Sequence, residues 1–206
     1  MSKRFGIWLG DCSRKLLQRL VLMLTIGGFL VLGSGCGVSV EDYQGKAPSL
    51  QLDQYFNGQL KAYGMVEDYS GKVTRRFKAQ IVGTWKGDQG VLDERFEFDD
   101  GEIQYRCWRL EKSGDTYIGV AGDVVGQAKG KVSGNVLNWQ YVLQVPVGER
   151  KFDIHLNDWL YLLDDKRLMN KADMTKWGVK VGEITLFIEK ISHIQPKRPL
   201  VENCQL

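Results

Sequence analysis

Apolar and polar residues alternate along much of the chain. In residues 135–145, Leu137 and Trp139 fall on one face of an extended segment, whereas Asn138 and Gln140 fall on the other. A period of two residues is typical of a β-strand with one buried face. The same alternation occurs in four further segments, namely residues 73–81, 92–98, 151–156 and 184–188. The pattern therefore predicts a succession of β-strands.

Short turn signals separate these segments. Glycine stands beside Asp, Asn or Ser in three places, follows Pro-Val in a fourth and follows Trp in a fifth, at residues 99–102, 112–115, 133–135, 146–148 and 177–178. Links of this length join antiparallel neighbours. Many short strands with one apolar face suggest a sheet that curls until its edges meet. We therefore predict an all-β fold, an antiparallel meander of about eight to ten strands that closes into a barrel.

Two segments are less regular. Residues 157–170 also fit a helical spacing, but we interpret them as strand divided by a turn at residues 164–166. Residues 52–60 are predicted to form a short helical turn before the first strand. Neither assignment changes the meander, because a helix in either place would leave the other strands intact.

The N-terminal segment has the plan of a signal peptide. Residues 20–32 form an apolar run of 13 residues, preceded by basic residues and followed by Gly33, Ser34 and Gly35. A membrane-spanning helix needs about 20 apolar residues, so an uncleaved membrane helix is the less favoured alternative. Residues 32–36 read Leu-Gly-Ser-Gly-Cys and resemble the lipobox of bacterial lipoproteins. The resemblance implies cleavage between Gly35 and Cys36 and lipidation of Cys36.

This resemblance gives the expected organisation and location of the protein. Residues 1–35 are the signal peptide, 36–50 a polar tether, 51–191 the barrel domain and 192–206 a C-terminal tail. By the usual sorting pattern of lipoproteins, Gly37 after the cysteine implies the outer membrane, with the protein facing the periplasm. Each buried methylene contributes about 0.8 kcal/mol, so several acyl chains hold a protein firmly at a bilayer. A membrane is therefore the expected partner.

The formal charge of +3 does not indicate a nucleic-acid partner. The leader has a net charge of +4, which leaves −1 for the remainder of the chain; its charged residues are Lys3, Arg4, Asp11, Arg14, Lys15 and Arg19. Nucleic-acid-binding domains show a basic stripe, whereas basic and acidic residues alternate along most of this chain. We therefore predict no nucleic-acid partner.

Few residues could carry catalysis or bind a metal. The four cysteines show no Cys-x-x-Cys spacing, which argues against a structural zinc site. Cys107 and Cys204 could pair in an oxidising periplasm or remain a buried thiol and a tail thiol. His155 lies on a polar strand face and His193 in the tail, and the chain lacks nucleophile, phosphate-loop and dinucleotide motifs. We predict no catalytic residue, no metal site and no cofactor.

Several short motifs resemble those of a known family. They lie at residues 55–58 (YFNG), 85–88 (WKGD), 98–102 (FDDGE), 106–108 (RCW), 158–159 (DW) and 177–178 (WG). Together they are similar to an uncharacterised family of proteobacterial lipoproteins, domain-of-unknown-function family 3833. The family implies lipoprotein status and no particular activity. A Phe-x-Gly start, a meander and a final strand also resemble the barrel of lipocalins and fatty-acid-binding proteins, which implies a lipocalin-like architecture.

Inward-facing arginines are the candidate specificity residues of such a barrel. Arg75 shares a face with Phe77, and Arg109 shares one with Tyr105. A guanidinium inside a barrel could bind a carboxylate or phosphate head group. Alternatively, the arginine closes the barrel end against Asp or Glu, or stacks on a tryptophan. The predicted ligand-binding residues are Arg75, Arg109, Trp85, Tyr105, Trp108, Trp139 and Tyr141.

Three functions remain open at this point. The leading hypothesis is a lipid-anchored protein of the cell envelope that binds or carries a lipid, a fatty acid or another apolar molecule. The first alternative is a structural or assembly lipoprotein acting through protein contacts, which predicts a filled barrel and an exposed apolar patch. The second is a lipid-modifying enzyme that uses carboxylates, which requires a carboxylate pair inside the barrel; the candidates are Glu94, Glu97, Asp158 and Asp164.

Overall fold

Ten β-strands and two short helices make up the described part of the chain. The computed structural model describes residues 37–192 and Cys204, so the predicted leader, including Gly35 and Cys36, lies outside the described residues. A 3₁₀ helix spans Val40–Tyr43 and helix α1 spans Leu52–Tyr55. The strands are β1 Gly58–Asp68, β2 Val73–Lys86, β3 Gln89–Phe98, β4 Ile103–Ser113, β5 Thr116–Val120, β6 Ala128–Ser133, β7 Val136–Val147, β8 Arg150–Leu162, β9 Arg167–Lys176 and β10 Val179–Ser192.

The strands form a closed barrel. Each strand pairs antiparallel with the next along the chain, and β1 pairs antiparallel with β10. Closure leaves no edge strand in the sheet. The predicted all-β fold, its antiparallel meander and its closure into a barrel are therefore confirmed. Within the described residues, no helix is long and apolar enough to cross a bilayer.

The predicted turns and irregular segments also agree with the structure. Gly134 and Gly148 adopt positive φ angles of 55° and 59° in the β6–β7 and β7–β8 links, a conformation that glycine adopts at little cost. Residues 157–170 are strand on both sides of a link at 163–166, because β8 ends at Leu162 and β9 begins at Arg167. Helix α1 is the predicted helical turn before β1.

Helix α1 and the residue after it plug one end of the barrel. Leu52, Tyr55 and Phe56 are all buried. The hydroxyl of Tyr55 donates hydrogen bonds to the carbonyls of Ile188 (2.9 Å) and Lys166 (3.1 Å). Inner side chains are buried near this plug and half-buried toward the other end, as along β2 and β3. The second end is therefore the more open one.

The predicted tether, residues 36–50, is partly folded against the barrel. The side chains of Val40 and Leu50 are buried, with 8% and 1% exposure. The N–H of Leu50 donates to the carbonyl of Gly134 (2.9 Å), and Lys131 forms an ion pair with Glu41 (2.6 Å). The Gly and Pro content of the segment favoured a tether, but its few apolar residues are enough to bind it to the wall. The folded part thus begins before residue 51.

A disulfide joins Cys107 in β4 to Cys204 in the tail, with a Cα–Cα distance of 5.7 Å. Cys204 is buried at 5% exposure. The sequence leaves open whether these cysteines pair or remain separate thiols, and in the structure they are paired. The tail is therefore attached to the barrel wall at this point.

Candidate ligand-binding site

A cavity of about 380 Å³ lies inside the barrel. Its deep part, next to the plug, is apolar and is lined by Leu92, Leu110, Leu137 and Ile188. Phenylalanines line the opposite end, and their rings contact one another edge-on or tilted: Phe77 lies 5.8 Å from Phe96 and 5.5 Å from Phe98 between centroids. The walls therefore suit an apolar molecule.

Three predicted aromatic residues line this cavity. Trp108 lies edge-on to Trp139, with 5.7 Å between ring centroids, and edge-on to Tyr141, with 5.4 Å. Edge-to-face contacts of this kind hold rings in fixed orientations. Trp108, Trp139 and Tyr141 thus stand where the sequence predicted ligand-lining residues.

A partly buried ion pair lies between the two apolar ends. Arg106 and Glu94 are directly opposite each other in the β3–β4 register, and both side chains line the cavity. The guanidinium of Arg106 binds both carboxylate oxygens of Asp123, with Nε–Oδ1 3.1 Å, Nε–Oδ2 2.9 Å and Nη2–Oδ2 2.7 Å. Two-point pairing of this kind uses the planar fork of the arginine side chain. The Nε and Nη2 groups of Arg106 are thus engaged by Asp123.

Asp158 is a second buried carboxyl of the cavity, at 9% exposure. Its Oδ2 accepts a hydrogen bond from the hydroxyl of Tyr141 (3.3 Å). Its Oδ1 is buried and has no hydrogen-bond partner among the described residues. The register places Asp158 opposite Trp139 and Ala172, so it projects from the wall beside the aromatic residues. The cavity wall therefore contains a buried acceptor with no hydrogen-bond partner among the described residues.

Burial shifts the pKa values of both carboxyls. Burial raises the pKa of Glu94 to about 7, where the positive charge of Arg106 opposes the shift and nearby carboxyls add to it. Burial likewise raises the pKa of Asp158 to about 7, against the hydrogen bond from Tyr141 and the charge of Arg106. Burial alone would lower the pKa of Arg106, but Tyr141, Glu94 and Asp123 outweigh it and raise that pKa. Desolvated carboxyls of this kind are frequent at functional sites.

Arg75 lies at the open end of the cavity and is already paired. Its Nη2 lies 2.7 Å from a carboxylate oxygen of Asp100 and 2.7 Å from one of Glu102. Its guanidinium carbon lies 3.7 Å from the ring centre of Phe98. This arrangement corresponds to the second possibility considered from the sequence, an arginine that closes the barrel end against acidic residues.

Arg109 and Tyr105 do not reach the cavity, contrary to the prediction that they line it. Both side chains are exposed, because the odd-numbered residues of β4 face outward. The inward residues of β4 are even-numbered, namely Gln104, Arg106, Trp108 and Leu110. The prediction placed Arg109 and Tyr105 correctly on one face but took that face, which carries Ile103 and Cys107, for the inner one. Arg106, which the sequence reasoning missed, lies inside the barrel.

Trp85 is also outside the cavity lining. Its ring packs against the core at the plugged end and lies edge-on to Tyr117, with 6.3 Å between ring centroids. A side chain at Gly90, opposite Trp85 in the β2–β3 register, would collide with this ring. We therefore assign Trp85 to packing of the plugged end.

Several solved structures have a similar fold. The S-type phycobiliprotein lyase CPES from Guillardia theta superposes with a TM-score of 0.52 at 7% identity, covering 75% of this chain and 99% of the lyase. Rv2717c from M. tuberculosis gives a TM-score of 0.52 at 13% identity, covering 71% and 99%. A protein of unknown function from the DUF3598 family of Nostoc punctiforme gives 0.51 at 12% identity, covering 76% and 53%. Identities this low show a shared fold alone.

Sequence similarity extends over most of the chain at the level of a family. No curated protein is significantly similar to this chain in sequence. The family profile described as "Protein of unknown function (DUF3833)" matches residues 29–190, which include α1 and nearly all of the barrel. The chain therefore belongs to the DUF3833 family, as its motifs indicated.

Proposed function

We propose that the protein binds an apolar small molecule inside the barrel. The observation that carries this proposal is the cavity of about 380 Å³ with apolar and aromatic walls. Small-molecule sites have volumes of roughly 300–1,000 Å³ and combine apolar walls with a few polar groups. A purely structural lipoprotein would instead be expected to fill its barrel with its own side chains.

We further propose that a lipid on Cys36 holds the barrel at the outer membrane, on the periplasmic side, where it would take up or release its ligand. The apolar leader and the lipobox-like residues before Cys36 support this location. The Cys107–Cys204 disulfide supports it too, because disulfides persist in oxidising compartments outside the cytoplasm. A Cys36→Ser variant tests the anchor: it should lose both the mass of the acyl group and its place in the membrane fraction. An unchanged distribution would refute the anchor and leave the cavity proposal intact.

Binding itself can be tested by blocking the cavity. Ala172 is buried in the cavity wall, so Ala172→Phe adds a ring to the ligand space. Ile118→Phe is the matched control, because Ile118 is an exposed residue of β5 that is not part of the lining. The fluorescence of N-phenyl-1-naphthylamine, a neutral apolar dye, should rise with the native protein and the control but much less with Ala172→Phe.

Native mass spectrometry of the protein from its own envelope should detect a bound apolar molecule that Ala172→Phe lacks. Equal dye binding by all three proteins, or none by the native protein, would contradict binding in the barrel. Circular dichroism checks that the two variants retain the β-sheet spectrum.

A second candidate function is lipid modification. Glu94 and Asp158 both line the cavity, and both have pKa values raised to about 7 by burial. A carboxyl that titrates near neutral pH suits general acid or base catalysis. If this function holds, incubation with an envelope lipid extract should generate a new lipid species, and Asp158→Asn should abolish it. Lipids that remain unchanged with the native protein would exclude this candidate under those conditions.

A further inference from the structure

The polar groups of the cavity indicate which kind of apolar molecule it takes, provided that the proposed binding function holds. We propose that the ligand is an amphiphile with a protonated amine, whose N–H groups bind Asp158 with the carboxyl of Glu94 nearby. The sequence had instead pointed to an acidic head group bound by arginine.

Hydrogen bonding favours a donor on the ligand. Asp158 Oδ1 is a buried acceptor with no partner among the described residues, and its other oxygen already accepts from Tyr141. The Nε and Nη2 donors of Arg106 are bound to Asp123. An unpaired buried acceptor destabilises the folded protein, so a ligand that donates to it removes an existing penalty. An ammonium group donates and cannot accept.

Charge also favours a cation. Arg106 and Asp123 neutralise each other, which leaves the carboxyls of Glu94 and Asp158 as the other acidic groups that line the cavity here. Tyr141 of β7 and Arg106 of β4 act directly on Asp158, and the cavity wall around them also carries Glu94 of β3, Asp123 of the β5–β6 link and the neutral Asn170 of β9. The charge of this set lies between zero and two negative charges, according to the ionisation of the two carboxyls. An ammonium group would reduce that charge, whereas a fatty-acid carboxylate would increase it.

The arginine at the open end does not reverse this balance. Arg75 is bound to Asp100 and Glu102, so an anionic ligand would have to displace two carboxylates from it. Removing one partner from such a charge network carries its own cost. The Nε of Arg75 is buried and has no hydrogen-bond partner among the described residues, but both arginines already hold carboxylates with which an acidic head group would have to compete.

The pH dependence of binding follows from the two carboxyls. Their pKa values are raised to about 7 by burial, so both lose their protons as the pH rises through neutrality. An alkylammonium, like lysine, titrates at about 10.4 and stays charged up to pH 9. The affinity for the amine should therefore rise between pH 6 and pH 8. The affinity for a carboxylate should fall over the same range, and that for an alcohol should change little.

Three probes with the same alkyl chain test the inference: dodecylamine, dodecanol and dodecanoate, each below its aggregation concentration. Their dissociation constants are measured by displacement of N-phenyl-1-naphthylamine at pH 6 and pH 8. At pH 8 we expect dodecylamine to bind at least about 10-fold more tightly than dodecanoate, a difference of about 1.4 kcal/mol. The preference should be smaller at pH 6.

Asp158→Asn and an outward-facing control identify the residue responsible. Loss of one partner of a buried charge pair costs about 2 kcal/mol or more, so Asp158→Asn should weaken dodecylamine at least about 30-fold. It should leave dodecanol within about twofold. Asp153→Asn, an exposed position on the same strand, should change neither affinity. Tyr141→Phe removes the hydrogen bond that lowers the pKa of Asp158, so the gain in amine affinity should move to higher pH.

The outcomes separate this inference from the proposed function. If the dye and dodecanol bind but dodecanoate equals or exceeds dodecylamine at pH 8, the amine inference is overturned and binding in the barrel stands. A preference for dodecylamine that survives Asp158→Asn also overturns the inference. If neither the dye nor any probe binds, the proposed function itself fails. If a variant has lost its β-sheet spectrum, the pH profile of the native protein serves as the test in its place, because this profile by itself distinguishes an amine ligand from an acidic one.

Discussion

Replacing Asp158 with asparagine should stabilise the ligand-free protein, and more at pH 8 than at pH 5. Burial raises the pKa of Asp158 from 3.8 to about 7. Below pH 3.8 the carboxyl is neutral in both states and carries no penalty. As the pH rises to 7, the unfolded chain releases its proton and the folded protein holds it, so the free energy of unfolding falls.

The size of the effect follows from the two pKa values. One pKa unit corresponds to about 1.4 kcal/mol, so burial of this carboxyl destabilises the protein by about 4 kcal/mol above pH 7. At pH 5, which is about one unit above the unfolded pKa, the corresponding loss is about 2 kcal/mol. Asparagine has nearly the same shape and does not ionise. Its advantage over aspartate should therefore grow by about 2 kcal/mol between pH 5 and pH 8.

Urea unfolding followed by tryptophan fluorescence measures this difference at the two pH values. Any constant packing effect of the amide cancels in the comparison, so the ionisation of Asp158 and its coupling to Glu94 remain. Asp153→Asn, on the exposed face of β8, serves as the control and should show no such pH dependence. The reasoning would be refuted if the two variants changed with pH alike, or if Asp158→Asn lost its advantage on going to pH 8.

Three further changes test the barrel itself. Asp123→Asn should lower the free energy of unfolding by about 2 kcal/mol, because it weakens the charged hydrogen bonds to the guanidinium of Arg106. Urea unfolding measures this change, and a decrease of less than about 0.5 kcal/mol would contradict the prediction. Joint replacement of Cys107 and Cys204 by serine opens a loop of 97 residues and should lower the free energy of unfolding by about 4.7 kcal/mol, the chain-entropy value for a loop of this length. The variant should therefore have a lower urea midpoint than the oxidised native protein and the same midpoint as the reduced native protein. A midpoint equal to that of the oxidised protein would contradict the prediction. Gly83→Ala should cost about 1–3 kcal/mol in thermal unfolding, because its Cβ would lie 1.5 Å from a carbonyl oxygen of the plug, whereas Gly122→Ala has open space and should be neutral.

The alternation of side chains was sufficient to predict the barrel but not which face of β4 is the inner one. On that strand the outer face carries Ile103 and Tyr105, whereas the inner face begins with Gln104 and Arg106. A count of apolar residues therefore selects the wrong face where the interior is a polar site. The inner arginine becomes evident only when the register sets it beside Glu94.

Long-range partners explain the other differences. The pairing of Cys107 with Cys204 joins positions 97 residues apart, and no local spacing reports such a contact. Asp123 lies in a link with no strand pattern, so its pairing with Arg106 depends on where that link crosses the barrel. Leu50 likewise lies in a polar segment of the sequence, and its position beside the β6–β7 turn is a long-range contact that the local sequence does not show.

One side of the barrel wall is made by a link instead of a strand. Strand β5 pairs with β4 only along residues 109–113, and β6 pairs with β7 only as far as Gln140. Residues 121–127 occupy the remaining space, where the N–H of Val125 donates to the carbonyl of Val142 (2.9 Å). The N–H of Gln144 also donates to the carbonyl of Asp123 (2.8 Å). Backbone held by so few hydrogen bonds opens at a lower free energy than a strand ladder. We therefore expect local opening of the wall to begin at this link, and amide exchange to be faster at Val125 than within β1.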